Sequence, residues 1–307
     1  MRIIFIENSA TQELPGPTAA NFACGHRPRK PPPMTSKNRH HYSATMIRLA
    51  LRLTPLPAAL LALPAFALQP LITDDTGTQG AGGNQLEFSL NQASSTISGT
   101  TDRSSALPLV YTRGVTETLD LSAGVAWIRL RPGSGNADTS GFGNPGLGAK
   151  WRFLDTNDAG TSAAVKLEAL VPVSGGAQAS GLGSGRVGGL LTFIVSQEVP
   201  FGAIHFNAGI GRVRYADAAN NPDETPVRLS VAPVWRVNEQ WQLALDLGAE
   251  SVQSAGSRAR TAFAELGAIW SPREDLDLAL GITRFGDNLN PGTRTWLGTA
   301  GITWRFK

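Results

Sequence analysis

The sequence predicts an all-β chain, a transmembrane antiparallel β-barrel of about twelve strands, and three observations lead to this prediction. Segments that alternate apolar and polar side chains recur from residue 84 to the end of the chain, and a period of two is the mark of a strand. The connections between these segments are alternately short and long. The tryptophans lie near segment ends on the apolar phase, which is the pattern of a lipid-facing surface.

The beginning of the chain is interpreted as targeting sequence. Residues 46–67 start with basic residues, continue with an apolar stretch and end in Ala65-Phe66-Ala67, which predicts a secretory signal peptide cleaved before Leu68. Residues 1–45 are basic and proline-rich and show no periodicity. We interpret them as a mis-called extension upstream of the true start at Met46; a genuine but disordered extension is the alternative.

Removal of residues 1–67 changes both the charge and the available chemistry. The whole chain has 27 Lys plus Arg and 24 Asp plus Glu, and residues 68–307 keep 19 and 22 of them. The basic excess disappears, so a nucleic-acid partner is not expected. Cys24 is also removed and His205 is the one histidine left, so we expect no disulfide framework, no metal site and no cofactor.

The alternating segments divide the remaining chain into an N-terminal part and a barrel. Residues 68–83 are polar, glycine-rich and irregular, and they are predicted to form an N-terminal polar segment or plug ahead of a barrel at 84–307. We expect essentially no helix beyond a possible turn near 70–82. Strands are predicted near residues 84–91, 104–113, 119–130, 143–154, 161–171, 187–198, 203–214, 227–237, 241–252, 260–271, 275–285 and 294–306. An even strand number is usual for bacterial single-chain barrels of the outer-membrane type.

The connections predict the orientation of the barrel. Short turns follow the even-numbered strands, at 114–118, 155–160, 200–202, 238–240 and 273–274. Longer loops follow the odd-numbered strands, at 92–103, 131–142, 172–186, 215–226, 253–259 and 286–293. In outer-membrane barrels short turns are periplasmic and long loops extracellular. We therefore expect the outer membrane of a Gram-negative bacterium, with both termini on the periplasmic side.

The aromatic residues indicate which side of each strand faces inward. In W-Q-L-A-L-D-L-G-A-E (241–250) the leucines lie on one side, and Gln242, Asp246 and Glu250 lie on the other. A soluble barrel would bury these leucines, whereas a membrane barrel turns them toward lipid. Two girdles at strand ends favour the membrane barrel, because a soluble barrel should bury its large rings at mid-strand. The predicted girdle residues are Trp127, Trp151, Trp235, Trp241, Trp270, Trp296, Trp304 and Phe306.

The polar phase then supplies the interior of the barrel. The predicted lumen-lining residues are Glu87, Asp120, Lys150, Arg152, Lys166, Glu168, Arg228, Asp246, Glu250, Glu265, Asp277 and Arg305. Both signs of charge occur, so a filter for ions of one sign is not expected. Twelve strands leave two interpretations open, a path for a small solute and a barrel braced by internal ion pairs. In the predicted plug, Asp74 and Asp75 are expected to pair with lumen bases such as Arg152 or Arg305; a flexible leader is the alternative.

Arginines crowd the long-loop ends of the strands. Guanidinium groups suit phosphate, so these arginines are predicted to contact outer-membrane lipid and lipopolysaccharide. An anion-gathering funnel and plain solvated charge are the alternatives. The residues are Arg129, Arg131, Arg212, Arg214, Arg258, Arg260, Arg284 and Arg294.

Catalysis and nucleotide binding are not expected. His205 is the one possible base for a serine nucleophile, and it follows the short turn at Gly202; we interpret it as an ordinary interior residue. Residues 183–188 match G-x-G-x-x-G, but they close a loop and open a strand, whereas a dinucleotide site requires a strand before the motif and a helix after it.

Two stretches carry a resemblance to a known family. P-L-I-T-D-D-T-G-T-Q-G (70–80) with Q-L-E-F (85–88), and G-F-G-N-P-G-L-G-A-K-W-R-F (141–153), resemble the outer-membrane barrel family labelled "putative meta-pathway of phenol degradation". The resemblance covers roughly residues 69–307. It implies a channel or transporter for passive uptake of small, aromatic or hydrophobic, molecules; a non-transporting structural or interaction barrel is the alternative. The terminal aromatic Phe306, followed by Lys307, implies the barrel-assembly machinery as a further partner.

Overall fold

Antiparallel strands make up almost all of the structure, a computed structural model that describes residues 69–156, 159–288 and 292–307. The predicted extension and signal peptide lie outside the described residues. The described strands are β1 (Asn84–Ile97), β2 (Thr100–Gly114), β3 (Leu119–Arg131), β4 (Thr139–Phe142), β5 (Gly146–Thr156), β6 (Thr161–Leu170), β7 (Gly188–Val199), β8 (Gly202–Arg212), β9 (Glu224–Arg236), β10 (Trp241–Ser254), β11 (Ser257–Arg273), β12 (Leu276–Asp287) and β13 (Arg294–Phe306).

The strands close into a barrel with twelve positions. Each strand pairs with its neighbours in sequence, and β1 pairs with β13 from Asn84↔Phe306 to Thr96↔Arg294. The strands β4 and β5 both pair with β3, one with its end and the other with its beginning, so together they occupy one position. Pro145 lies in the break between them and has no N–H to donate to a ladder. The predicted barrel of about twelve strands is therefore confirmed, and the predicted strand at 143–154 is interrupted.

Two of the predicted long loops are tight turns. The hairpin β1–β2 turns at Ser98 and Gly99, and β10–β11 turns at Ala255 and Gly256. All four residues have positive φ, between 45° and 86°, as a two-residue type I′ turn requires. The predictions of loops at 92–103 and 253–259 were wrong because the strands continue through these residues. Stretches such as 91–96 are polar on both faces of the strand, so they show no alternation of apolar and polar side chains.

The barrel is apolar outside and polar inside. Along β10, Asp246 is fully buried while Leu243 and Leu247 are 48% and 40% exposed. In β11 the acidic side chain is again buried and the leucine exposed, with Glu265 1% exposed and Leu266 64% exposed. A soluble barrel would show the opposite order. The interior therefore holds the carboxylates, as the girdle pattern predicted.

One loop between strands folds into the barrel. Residues 171–187 contain the short helix α1 (Gly175–Ala179), which begins at the N-cap Ser174. This five-residue helix is the one helix in the described ranges, so the prediction of essentially no helix is confirmed. Leu182 of this inward loop packs against Ile128 and Leu130 on the inner face of β3. No helix among the described residues has the length and apolar character needed to cross a membrane.

Candidate functional site in the barrel interior

The segment of residues 69–83, here called the internal segment, runs around the inner wall of the barrel. It begins against β13, where a Cβ on Gly301 would meet the Gln69 side chain, and it ends at β2, where Gly82 N–H donates to Gly114 O (2.9 Å). Between these points it contacts the inner side of most strands. In the order of the segment's own residues, the wall contacts are Gly281, Gly267, Asp246, Ser230, Asn207, Lys166, Lys150, Ser196 and Asp120.

Glycines leave room for the start of this segment. A Cβ on Gly267 would lie 2.9 Å from Pro70 Cγ, and a Cβ on Gly281 would lie 2.9 Å from Pro70 Cβ. Leu71 then packs with Ala232 and Ala244. The small residues of β11 and β12 therefore make a shallow depression in the inner wall that Pro70 fills.

A carboxylate between two lysines anchors the middle of the segment. Lys150 and Lys166 are cross-strand partners in β5 and β6, and like charges at such positions repel each other. The carboxylate of Asp74 lies between them, at 2.8 Å from Lys166 Nζ and 3.5 Å from Lys150 Nζ. The Asp74 backbone also exchanges two hydrogen bonds with the Asn207 side chain (2.7 and 2.9 Å).

These contacts correct the predicted partners of the plug residues. Asp74 and Asp75 pair with lysines, with Asp75 Oδ1 at 3.8 Å from Lys150 Nζ. Arg152 instead pairs with Asp155 (3.3 Å), and Arg305 pairs with Asp277 (2.6 Å). Both arginines lie nearer the short-turn rim than the level at which the segment crosses the wall.

A second anchor lies on β10. Asp246 accepts three hydrogen bonds, from Ile72 N–H (2.9 Å), Thr73 N–H (2.7 Å) and the Thr73 hydroxyl (2.6 Å). Thr73 and Asp246 are both fully buried. Hydrogen bonds to a charged acceptor are the stronger class, so this cluster fixes the segment to the wall.

A cavity of about 470 Å³ lies beside the segment toward the short-turn rim. Its wall is polar and apolar in nearly equal parts and carries both signs of charge. The ionisable residues that line it are Asp75, Arg152, Asp155, Glu198, His205 and Arg236. Such a volume lies in the range of small-molecule sites.

The pKa of Asp75 is lowered in this setting. Burial raises the pKa, but the nearby charges of Lys150 and His205, the Gly77 N–H and the charge of Arg305 together outweigh it. The ionised carboxylate is therefore favoured in the seated segment.

Acidification is expected to loosen the internal segment. A folded-state pKa below the unfolded value of about 3.9 contributes stability above that value and loses it as the pH falls through the folded pKa. We expect the Thr76 amide to lose protection from hydrogen exchange below about pH 4, after correction for the intrinsic pH dependence of exchange. Asp75→Asn should abolish this pH-dependent loss, and unchanged protection of the wild type in this range would contradict the prediction.

The inward loop lies at the long-loop end of the barrel, beside β3 and the break between β4 and β5. Asn144 Nδ2 donates to Val171 O (2.7 Å) and Ser184 O (2.8 Å), while its Oδ1 accepts from Ser184 N–H (2.8 Å). Gln178 Oε1 accepts from Gly185 N–H and from Ala216 N–H of the neighbouring loop (2.7 and 2.9 Å). The loop is therefore tied to the break between β4 and β5.

Asn144→Asp is expected to release the inward loop. A carboxylate has no donor for the carbonyls of Val171 and Ser184, and each lost bond costs about 1–3 kcal/mol at a buried site. Trypsin should then cut faster after Arg186, as followed by mass spectrometry of the folded protein. Asn136→Asp, in the exposed loop after β3, is the matched control; equal cleavage in both variants would rule out the tether.

The other predicted lumen residues also lie on the inner side. Arg228 pairs with Glu250 (2.6 Å), and Lys166 lies 3.8 Å from Glu168. Asp120 accepts from Gln79 N–H (3.1 Å). Glu87 is 5% exposed. The interior thus contains ion pairs on several walls in addition to those that hold the segment.

The predicted girdle residues occupy the outer surface. Trp241 and Trp270 stack at 5.9 Å, and Trp304 lies 4.6 Å from Phe306. Six of the seven tryptophans are 37–53% exposed, while Trp127 is half-buried. Trp151 lies 5.8 Å from Phe153. These rings form a band along the short-turn rim, with Trp127 and Trp296 nearer the long loops.

Acidic loop residues partly neutralise the rim arginines. Asp138 lies 2.7 Å from Arg129 and 3.8 Å from Arg131, and Asp223 lies 3.0 Å from Arg212 and 4.0 Å from Arg214. The remaining predicted rim residues make other contacts or are exposed. Arg284 donates to Thr295 O (3.0 Å) and lies 5.4 Å from the Trp296 ring, and Arg258, Arg260 and Arg294 are exposed.

His205 helps to hold the internal segment through Ser196. The His205 Nδ1 lies 2.8 Å from the Ser196 hydroxyl, and this hydroxyl accepts a hydrogen bond from Thr76 N–H (3.2 Å). Ser196 and His205 are 6% and 7% exposed. This arrangement links β7, β8 and the segment.

One solved structure supports the barrel architecture, and two others are less similar. The COG4313 outer membrane channel from Pseudomonas putida F1 is similar at a TM-score of 0.60 and 15% identity, covering 76% of this chain and 98% of that one. The NanC porin gives 0.49 and 8%, covering 71% and 98%. The CymD monoaromatic hydrocarbon channel gives 0.43 and 12%, covering 80% and 91%. None of the curated proteins compared with this chain matches its sequence.

The sequence comparison identifies the family directly. The model of the family described as "Putative MetA-pathway of phenol degradation" matches residues 69–306, which span the internal segment and the whole barrel. The chain therefore belongs to this family of barrels, as its T-D-D-T start and G-F-G-N-P-G motif had predicted.

Proposed function

We propose that the protein is an outer-membrane channel for the passive uptake of small molecules, with the internal segment and the inward loop at its narrowest parts. The observation that carries the proposal is the cavity of about 470 Å³ beside the segment, whose wall has polar and apolar surface in nearly equal parts. A barrel that served only as a wall would not need such a space, since side chains can fill a small barrel completely. Similarity in fold to an outer membrane channel supports the same function.

The interior favours solutes that are partly apolar. Its walls differ in character. The strands β5 to β10 carry ion pairs such as those of Lys166 and Arg228. The strands β11 to β13 also carry charged residues, but they hold a buried apolar cluster of Phe263, Phe285 and Leu297 in addition. A ring with one polar group fits such a surface. We therefore propose small aromatic molecules of the phenolic kind as the solutes, which also agrees with the family description.

The membrane placement follows from the outer surface. Apolar residues and exposed rings suit lipid and its headgroup level. We propose that the short turns are periplasmic and that the exposed long-loop arginines Arg258, Arg260 and Arg294 contact lipopolysaccharide phosphates. We also propose that the source is a Gram-negative bacterium.

Reconstitution tests the channel. Proteoliposomes should swell in small sugars faster than protein-free vesicles, and phenol or catechol should reduce the ion current across a planar bilayer where glycerol at equal concentration does not. Swelling no faster than in protein-free vesicles, together with absent ion current, would reject the channel.

The second candidate is a non-transporting barrel that braces the membrane or binds a partner. The internal ion pairs favour it, because they join neighbouring strands. Arg228 of β9 lies 2.6 Å from Glu250 of β10, and Arg305 of β13 lies 2.6 Å from Asp277 of β12. The two functions differ in one respect. Releasing the internal segment should open a channel, whereas in a bracing barrel it should lower stability and leave permeability unchanged.

A further inference from the structure

One buried carboxylate of the inner wall lacks a donor. Glu265 is 1% exposed, and neither of its carboxylate oxygens has a hydrogen-bond partner among the described residues. Its cross-strand partner Thr283 is fully buried, and the Thr283 hydroxyl also lacks a partner in that part of the chain. The Ile72 N–H lies near this carboxylate but donates to Asp246 (2.9 Å). A buried acceptor of this kind is costly until a donor completes it.

Apolar surface lies on both sides of this carboxylate. On the inner face of β11 and β12 the cross-strand pairs form successive rows about 7 Å apart. Glu265 belongs to the middle row, between a row of phenylalanines and a row of glycines. In order, the rows are Phe263↔Phe285, Glu265↔Thr283 and Gly267↔Gly281. The centroids of the two phenylalanine rings lie 6.1 Å apart, and Ile72 packs against these rings.

The glycine row holds a ring that belongs to the internal segment. A Cβ on Gly281 would lie 2.5 Å from Glu265 Oε1 and 2.9 Å from Pro70 Cβ. Both distances start from the same point, so the pyrrolidine ring and the carboxylate oxygen are close neighbours. Proline has no N–H to donate. The seated segment therefore fills the apolar depression and leaves the acceptor at its edge unsatisfied.

We propose that the Pro70 depression and Glu265 form a binding site for a phenolic solute, which displaces Pro70 from the wall. The ring of the solute takes the place of the pyrrolidine ring, and its hydroxyl donates to Glu265. The ligand class rests on the proposed function, whereas release of the start of the segment by the solute goes beyond it. A ligand that binds only the released state shifts the equilibrium toward that state.

Hydrogen exchange at the Ile72 amide measures this displacement, because the amide loses its Asp246 acceptor when the start of the segment leaves the wall. Phenol should speed the exchange in the folded wild type. Anisole has the same ring without the donor, and it should need about a tenfold or higher free concentration for the same effect. A hydrogen bond to a charged acceptor corresponds to at least about tenfold in affinity.

The Gly82 amide is the internal control for this measurement. It donates to Gly114 O (2.9 Å) at the other end of the segment, so its exchange rate should be the same with and without phenol. Equal effects of phenol and anisole at the Ile72 amide, or equal acceleration at Gly82, would overturn the proposal.

Glu265→Gln tests the acceptor. The amide keeps the shape of the side chain and removes its charge, so the preference for phenol over anisole should fall by about tenfold. Glu274→Gln, in an exposed turn, should leave this preference unchanged. Heat-modifiable migration on a detergent gel shows whether each variant is folded. An unchanged preference in folded Glu265→Gln would reject the site, and if that variant does not fold, the comparison of phenol with anisole on the wild type decides alone.

The site and the channel fail separately. A protein that conducts ions and swells vesicles, but whose Ile72 amide exchanges at the same rate with and without phenol, keeps the channel and loses the site. A protein whose Ile72 amide is exposed by phenol, but which neither conducts nor swells vesicles, keeps the site and loses the channel.

Discussion

Asp74→Ala is expected to release the internal segment and to raise the ion conductance of the reconstituted protein. The substitution leaves Lys150 and Lys166 facing each other on adjacent strands without the carboxylate that separates them. Removing one partner of a buried ion pair typically costs about 3–5 kcal/mol. That cost changes the equilibrium between seated and released segment by about 10²–10⁴. Single-channel recording in planar bilayers measures the resulting increase.

Two further variants make this result specific. Asp275→Ala removes an exposed carboxylate that pairs with Arg273 at 3.1 Å on the short-turn rim, and such pairs contribute about 0–1 kcal/mol. Asp74→Ala combined with Lys166→Met removes both buried charges and should restore part of the lost stability, because an apolar replacement of a buried pair is often tolerated. If the Thr73 amide stays as protected from hydrogen exchange in Asp74→Ala as in wild type, Asp74 is not the anchor.

The same anchor shows what sequence could predict and what it could not. The inward position of Lys150, Lys166 and Asp246 followed from alternation, since a period of two assigns every residue of a strand to one face. The partners of Asp74 did not follow. Arg152 and Arg305 were equally plausible by charge, and choosing among inward bases requires the height at which the segment crosses the wall.

The level along the barrel axis at which the internal segment crosses the wall depends on features that no short stretch of sequence reveals. Gly267 and Gly281 create the depression for Pro70, and glycine in a strand pattern commonly marks a bulge or a close backbone approach. The two glycines lie on adjacent strands and meet only through the register of β11 and β12. A path that depends on side chains from many strands is a tertiary property.

The short helix α1 and the tight turns of two hairpins were not predicted, and both have local causes. The helix α1 has five residues, fewer than a helical period needs to become visible in a sequence. In the hairpins, alternation stops being informative where the strands extend past the girdle, because both faces of the strand are polar there. The tight turns at Ser98-Gly99 and Ala255-Gly256 did carry a signal, a glycine at the second turn position.

A charged substitution on the outer face of the barrel is expected to have the second large effect, a loss of stability in lipid. On β12, Leu276 pairs with Trp304 and Arg284 pairs with Trp296, so Leu280 lies midway between the two girdles. The eight residue-to-residue steps from Trp296 to Trp304 span about 26 Å along the strand, or about 20 Å across a bilayer at a tilt near 40°. Leu280 is 65% exposed and should therefore face the centre of the hydrocarbon.

Leu280→Arg is expected to lower the free energy of unfolding in lipid vesicles by about 2–4 kcal/mol, the cost of a guanidinium at the bilayer midplane. Leu276→Arg is the matched control, because it places the same group on the same strand and face at the level of Trp304, where the cost falls to about 0–1 kcal/mol. Urea titration followed by tryptophan fluorescence gives both values. In a soluble barrel an arginine at the exposed position 280 would cost almost nothing, so equal stabilities for the two variants would show that this face does not meet lipid.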